Sequence, residues 1–154
     1  MTKTERYELL LKQVKTLIEG ETNETAVLAN VSSAMATMFP EWLWTGFYLV
    51  RDGELLVGPF QGPVACYHIK KGRGVCGSSW EREETIVVPD VEEFPGHIAC
   101  SSLSRSEIVV PIFNKLNEVV GVLDVDSPEL KTFDDTDKSF MEKIVEIISA
   151  QLGY

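Results

Sequence analysis

The chain has 154 residues, 44% hydrophobic and 25% charged, the proportions of one globular domain with a single core. Its 14 Lys and Arg stand against 24 Asp and Glu, a formal net charge of −10. That balance argues against nucleic-acid or anionic-membrane partners, which need a basic patch, and Lys70-Lys71-Gly72-Arg73 reads only as a solvated loop.

The N-terminal residues lack the apolar stretch and small-residue cleavage site of a signal peptide. No apolar run approaches the roughly 18 residues of a membrane span. A cytoplasmic location is therefore expected, where thiols are kept reduced. Two helices are expected first. Tyr7, Leu10, Leu11, Val14, Leu17 and Ile18 recur at helical spacing between about Thr4 and Glu19, and Gly20 ends the pattern. Thr22 or Asn23 suits the cap of a second helix that carries Val27, Val31, Ala34, Met35 and Met38 and stops at Pro40.

Trp44 to Val50 is aromatic and β-branched, the composition of a strand, and Asp52-Gly53 is a two-residue hairpin signal leading back along Glu54 to Phe60. After Gly62-Pro63 a third strand is expected over Val64 to Ile69. Gly72-Arg73-Gly74 turns into a short helix from about Val75 to Arg82, and Thr85 to Val88 reads as a fourth strand. The segment from Pro89 to Arg105 has no period, and a loop of that length in a compact domain is usually functional. Strands over Ser106–Phe113 and Glu118–Asp126 follow, then a long helix opened by Asp134-Asp135 with Met141, Ile144, Val145, Ile148 and Leu152 on one face. The expected fold is α+β and a single domain over 1–154. An antiparallel sheet of about six strands carries N- and C-terminal helices on one face and pocket-forming loops on the other.

Three cysteines are an odd number for a structural disulfide framework, and no Cys-x-x-Cys pair is present. Cys66 lies in a strand pattern, Cys76 in the first turn of the short helix, and Cys100 at the end of the long loop. Core packing is the plain alternative for each. The helix N-terminus and nearby Arg73 are expected to favour a thiolate at Cys76, while His97 stands three residues before Cys100. Cys66, His68, Cys76, His97 and Cys100 contain enough zinc ligands, but their spacing matches no compact motif, so no metal site is expected.

In Val119-Val120-Gly121-Val122-Leu123-Asp124-Val125-Asp126, alternation puts Asp124 and Asp126 on one face. A strand end emerging into solvent would explain them. Pairing Phe113 with Glu118 across a four-residue turn would instead set Glu107 opposite Asp124 and gather three acids on that face. Acids so gathered repel, and one should keep a proton near neutral pH. Such a group binds an ammonium and donates a proton. Trp42 and Trp44 read as core, with Trp44 also placed to wall an apolar pocket.

Six segments, taken together, resemble the free methionine-(R)-sulfoxide reductases, enzymes built on a GAF domain. They are Trp44-Thr45-Gly46-Phe47-Tyr48, Gly58-Pro59-Phe60-Gln61-Gly62, Gly72-Arg73-Gly74-Val75-Cys76-Gly77, Phe94-Pro95-Gly96-His97-Ile98-Ala99-Cys100, Ser106-Glu107-Ile108-Val109-Val110-Pro111 and Gly121-Val122-Leu123-Asp124-Val125-Asp126-Ser127. The likeness runs from about Tyr7 to Leu152, with Ser101 where the family often has an acid. It implies reduction of free L-methionine (R)-sulfoxide without a cofactor. Cys100 would be the nucleophile, Cys66 its disulfide partner, Cys76 a further resolving thiol, and thioredoxin the reductant. It also implies that Glu107, Asp124 and Asp126 bind the substrate ammonium and protonate the sulfoxide, that Trp44 and Tyr48 contact the substrate, and that the protein is a homodimer. The contrasting expectation is a GAF sensor that binds a small molecule without chemistry. Such modules are usually fused to an output domain, and none is expected after Tyr154.

Overall fold

A computed structural model describes residues 1–97 and 102–154. Helices α1 (Lys3–Ile18) and α2 (Glu24–Met38) lead into the hairpin β1 (Trp44–Arg51) and β2 (Glu54–Gln61). A short β3 (His68–Ile69), helix α3 (Gly74–Arg82), β4 (Ile86–Val88), β5 (Ser106–Phe113), β6 (Val119–Ser127) and the long helix α4 (Asp135–Leu152) complete the order. The helix starts follow side-chain capping. Thr2 and Glu5 form a capping box on α1, Asn23 accepts from Ala26 N–H on α2, and Asp134 and Asp137 form a second box on α4.

The strands make one antiparallel sheet in the order β3-β2-β1-β6-β5-β4. Its two faces differ in what they bury. On one, Phe47, Ile108, Val110, Ile112, Leu123 and Val125 pack against α1, α2 and α4 in the larger core. On the other, Trp44, Tyr48, Val109 and Val122 pack with Val75, Cys76 and Trp80 of α3. The expected α+β architecture is the observed one, with α3 joining the loops on the pocket face.

The Asp52-Gly53 turn holds both residues at positive φ, 53° and 81°, as a two-residue type I′ hairpin requires. Two expectations need correction. The third strand shrinks to His68–Ile69, and Val64 and Tyr67 are 87% and 73% exposed. Gly62-Pro63 breaks the ladder, and Val64 and Ala65 swing over the sheet to wall a cavity. The β5–β6 register also differs. Asn117 takes a left-handed turn position, with φ 60°, and Phe113 pairs with Val119 rather than Glu118. A bulge beside Phe113 then adds a second step, so Glu107 faces Asp126 and Val109 faces Asp124. Two single-residue steps make an even shift, so the faces are preserved.

The two ends of the chain are fastened through one carboxylate. Asp137, almost fully buried, accepts from Tyr7 Oη at 2.5 Å, Lys3 Nζ at 2.7 Å and Asp134 N–H at 2.8 Å. Replacing Asp137 with Ala strands the Tyr7 hydroxyl and leaves Lys3 only its longer contacts to Asp134 and the Thr132 carbonyl, both at 3.3 Å. The expected loss of stability is about 2–4 kcal/mol, measured by urea unfolding, with α1 losing amide protection first.

Candidate active site

The pocket face is built by alternation. β6 sends Val122, Asp124 and Asp126 to it, β5 sends Glu107 and Val109, and β1 sends Trp44, Gly46 and Tyr48. Across the β1–β6 ladder Trp44 lies opposite Asp126 and Gly46 opposite Asp124. A Cβ at Gly46 would come within 2.2 Å of Phe60 Cβ, so glycine there lets Phe60 cross over the strand. Phe60 then stacks on Trp44 at 4.9 Å between centroids, and Trp44 on Tyr48 at 5.8 Å. Trp44 Nε1 donates to the carbonyl of Pro63 at 3.1 Å, and Tyr48 Oη to that of Cys66 at 3.2 Å. These bonds tie the Gly62–Tyr67 segment down over the sheet.

Between sheet, segment and α3 lies a cavity of about 50 Å³, room for a few waters or one small ligand. Its walls include Trp44, Tyr48, Cys76, His97, Ser104 and the three acids. Glu107 and Asp124 are each 6% exposed, and Asp126 is half-buried. The solvated strand end is thereby set aside, and the gathered trio holds although its register differs. Ser104, which no sequence pattern singled out, donates to Asp126 Oδ1 at 3.0 Å. Among the described residues, Asp124 Oδ1 is buried without a hydrogen-bond partner.

Burial, then the neighbouring acids Asp124 and Asp126, pushes the Glu107 carboxyl well above its usual range. Burial and the Asp124 charge do the same to Asp126, against the Ser104 bond. Burial also raises Asp124, but hydrogen bonds from Glu107 and Cys76 oppose it. Asp124, whose rise is opposed, is therefore the acid of the group best placed to carry charge, and Glu107 and Asp126 are the ones best placed to keep protons. An unpartnered, buried carboxylate oxygen beside two neutral acids offers a cation a seat and an oxygen a proton.

Of the cysteines, Cys66 is half-buried before β3 and disulfide-bonded, while Cys76 is buried and free. Cys100, with Ile98, Ala99 and Ser101, lies outside the described residues. The thiolate expected at Cys76 is corrected. Burial first, then the neighbouring acids, Asp124 foremost, drives its thiol well above its ordinary value. One helix end and an exposed Arg73 do not offset that desolvation. The five-residue Cys/His set does not converge among the described residues. His68 lies on exposed β3, its Nδ1 2.7 Å from Glu54, while His97 lines the cavity with its imidazole lowered by burial. Cys76, Glu107 and Asp124 do come together, their ligand atoms all within 4.8 Å.

A GAF domain family model matches residues 21–152. GAF domain-containing protein A of Dictyostelium discoideum is 53% identical over 148 residues, covering 96% of this chain and 92% of that protein. The free methionine-R-sulfoxide reductase of Escherichia coli is 43% identical over 145 residues, 94% of this chain and 87% of its own. The solved free methionine-R-sulfoxide reductase of Neisseria meningitidis, in complex with its substrate, superposes with a TM-score of 0.96 at 45% identity, over 99% of this chain and 91% of that one.

Glu107 is neutral in the folded chain above its ordinary value of 4.5 but ionised when unfolded. The native state then binds the extra proton, so this group's contribution to stability falls as pH rises from that value. Glu107→Gln removes the effect while keeping shape. The variant should melt about 2–4 °C above the parent near pH 8 for each ~1 kcal/mol released, with the gap closing towards about pH 4, read by calorimetry.

Proposed function

The chain belongs to the GAF-domain family and groups there with the free methionine-R-sulfoxide reductases, and from that premise we propose that this pocket reduces free L-methionine (R)-sulfoxide to L-methionine. The observation that carries the reading is an Asp124 oxygen with no partner among the described residues, beside a Glu107 carboxyl raised well above its usual range, in a cavity walled by Trp44 and Tyr48. Asp124, with Asp126, receives the α-ammonium, the indole of Trp44 lies against the S-methyl group, and Glu107 faces the sulfoxide oxygen. The Gly62–Tyr67 segment, held over the sheet, favours a free amino acid over a sulfoxide carried on a polypeptide.

The chemistry follows from what the oxygen requires. Cys100, as thiolate, attacks the sulfoxide sulfur, and the oxygen takes a proton from Glu107 as its bond to that sulfur breaks. The hydroxyl so formed bonds to the Cys100 sulfur as the Cys100–methionine sulfur bond breaks, leaving Cys100 as the sulfenic acid and methionine with the electron pair of that bond. The Cys66 thiol then displaces the hydroxyl from the sulfenic sulfur, giving a Cys66–Cys100 disulfide and water. A dithiol protein of the thioredoxin class supplies two electrons and two protons to restore both thiols. The disulfide-bonded state of Cys66 at the cavity edge supports its part in that cycle. Such a cycle needs a reducing compartment, which favours the cytoplasm. No helix among the described residues is long and apolar enough to cross a membrane. Leu9 and Leu17, exposed along α1, favour association of two copies through that face.

A coupled assay with NADPH, thioredoxin reductase and thioredoxin tests the reading. Turnover is expected with the free R epimer and not with the S epimer or a peptide containing methionine sulfoxide. Equal activity on the peptide would overturn the free-substrate reading. Silence with both free epimers would overturn the enzyme and leave a binding module. Cys100→Ser should abolish turnover, and Glu107→Gln should lower kcat by about 10²-fold, the usual contribution of a positioned acid.

A further inference from the structure

Cys76 has no part in that cycle, yet the fold takes trouble to place it. The Lys70–Gly77 segment curls so that Gly72 N–H donates to Gly77 O at 2.9 Å, and a Cβ at Gly77 would strike Lys70 O at 2.4 Å. That close approach presses the first turn of α3 onto β5 and β6. It leaves Cys76 4% exposed, its Sγ within 4.8 Å of Glu107 and Asp124. A resolving thiol must ionise and bring its sulfur to roughly 2.05 Å of another. This one is desolvated, faces carboxyl groups and stays protonated. What a buried S–H beside a carboxylate can do is donate to it.

We infer that Cys76 is a positioning residue, whose S–H donates to Asp124 and thereby keeps the charge of the acid trio on Asp124 and the transferable proton on Glu107. Asp124 is faced by Glu107 from β5, Asp126 along β6, Tyr48 from β1, Cys76 from α3 and His97 from the loop before the undescribed residues. The Cys76 sulfur and a Glu107 carboxyl oxygen lie within 4.8 Å of an Asp124 oxygen, where each can donate to it, but Glu107 gives its proton to the sulfoxide oxygen. Among the described residues Cys76 remains a donor beside Asp124 throughout, and it neither loses its proton nor changes oxidation state. Asp124 Oδ1 is the atom so kept available to the substrate ammonium. The inference rests on the proposed function for its kinetic consequence, but not for the hydrogen bond itself.

The test compares the parent chain with Cys76→Ala and Cys76→Ser in single turnovers. Fully reduced protein is mixed with methionine (R)-sulfoxide in the absence of any reductant, and methionine is measured against substrate concentration and pH. Cys76→Ala should raise the half-saturating substrate concentration and slow the first turnover, each by about tenfold, the scale of a lost bond to a charged group. Its acid limb should move to higher pH, because Asp124 without that donor ionises less readily. Cys76→Ser, which keeps a donor but no redox chemistry, should recover most of the loss. First turnovers unchanged in both variants, with turnover slowed equally in both when thioredoxin and its reductase are added, would make Cys76 a resolving thiol and overturn the inference. Two variants indistinguishable from the parent in every step would overturn it in favour of packing. A second measurement is independent of activity. In the Cys66→Ser, Cys100→Ser protein the Raman S–H stretch reports Cys76 alone and should move to higher frequency on Asp124→Asn. A band that does not move overturns the inference even if the parent turns over. A parent chain that forms no methionine overturns the proposed function alone.

Discussion

The constraint on which the rest of this molecule depends is the placing of three carboxyl groups on the apolar face of one β-ribbon. Glu107 and Asp124 are buried there and Asp126 is half-buried. Acids so close cannot all ionise away from water, so the group must share out protons. Ser104 donates to Asp126 and the Cys76 thiol stands beside Asp124, while burial raises Glu107 and Asp126 well above their usual range and Asp124 against opposing bonds. One Asp124 oxygen has no partner among the described residues. Folding thus leaves an unmet demand for a cation where a proton is also ready to be given. Those are the two needs of an amino acid whose side chain must lose an oxygen.

The sheet makes this possible by keeping its faces chemically separate. The helix face is dry and continuous, with Phe47, Ile108, Ile112 and Leu123 packed by α1, α2 and α4. It carries the burden of stability, reinforced by the Asp137 tie between the two ends of the chain. The opposite face is then released to hold polar groups at a cost that the other side offsets. Its lid is light, being one segment fastened by Trp44 and Tyr48 and one short helix pressed close at Gly77.

The cysteines show how far tertiary surroundings outweigh local ones. A helix N-terminus favours a thiolate in isolation. At Cys76 the same first turn faces inward onto carboxyl groups, and burial reverses the preference. Cys66 has no such helix end, yet it sits at the edge of the cavity in a disulfide-bonded state. Reactivity follows access and field at the sulfur atom, and the chain arranges both through residues distant in sequence.

Much of this was legible in the chain itself. Helical spacing and capping residues mark α1, α2 and α4, and Asp52-Gly53 marks its hairpin, because these are local requirements met within a few residues. Alternation alone put Asp124 and Asp126 on one face, since the strand period is two whatever the partner. The conformation of the turn at Asn117 and the bulge by Phe113 set which residue Glu107 faces, and only the even sum of their two steps kept it on the same side. The length of β3 was likewise decided in space, where Val64 and Ala65 left the ladder to close the cavity. So was the protonation of Cys76, since desolvation is a property of everything packed around an atom and no neighbour in sequence encodes it. The sequence by itself determined the elements, the faces and the residue types of the site. Tertiary structure decided register, enclosure and charge, because each of these is a sum over contacts between residues far apart in the chain.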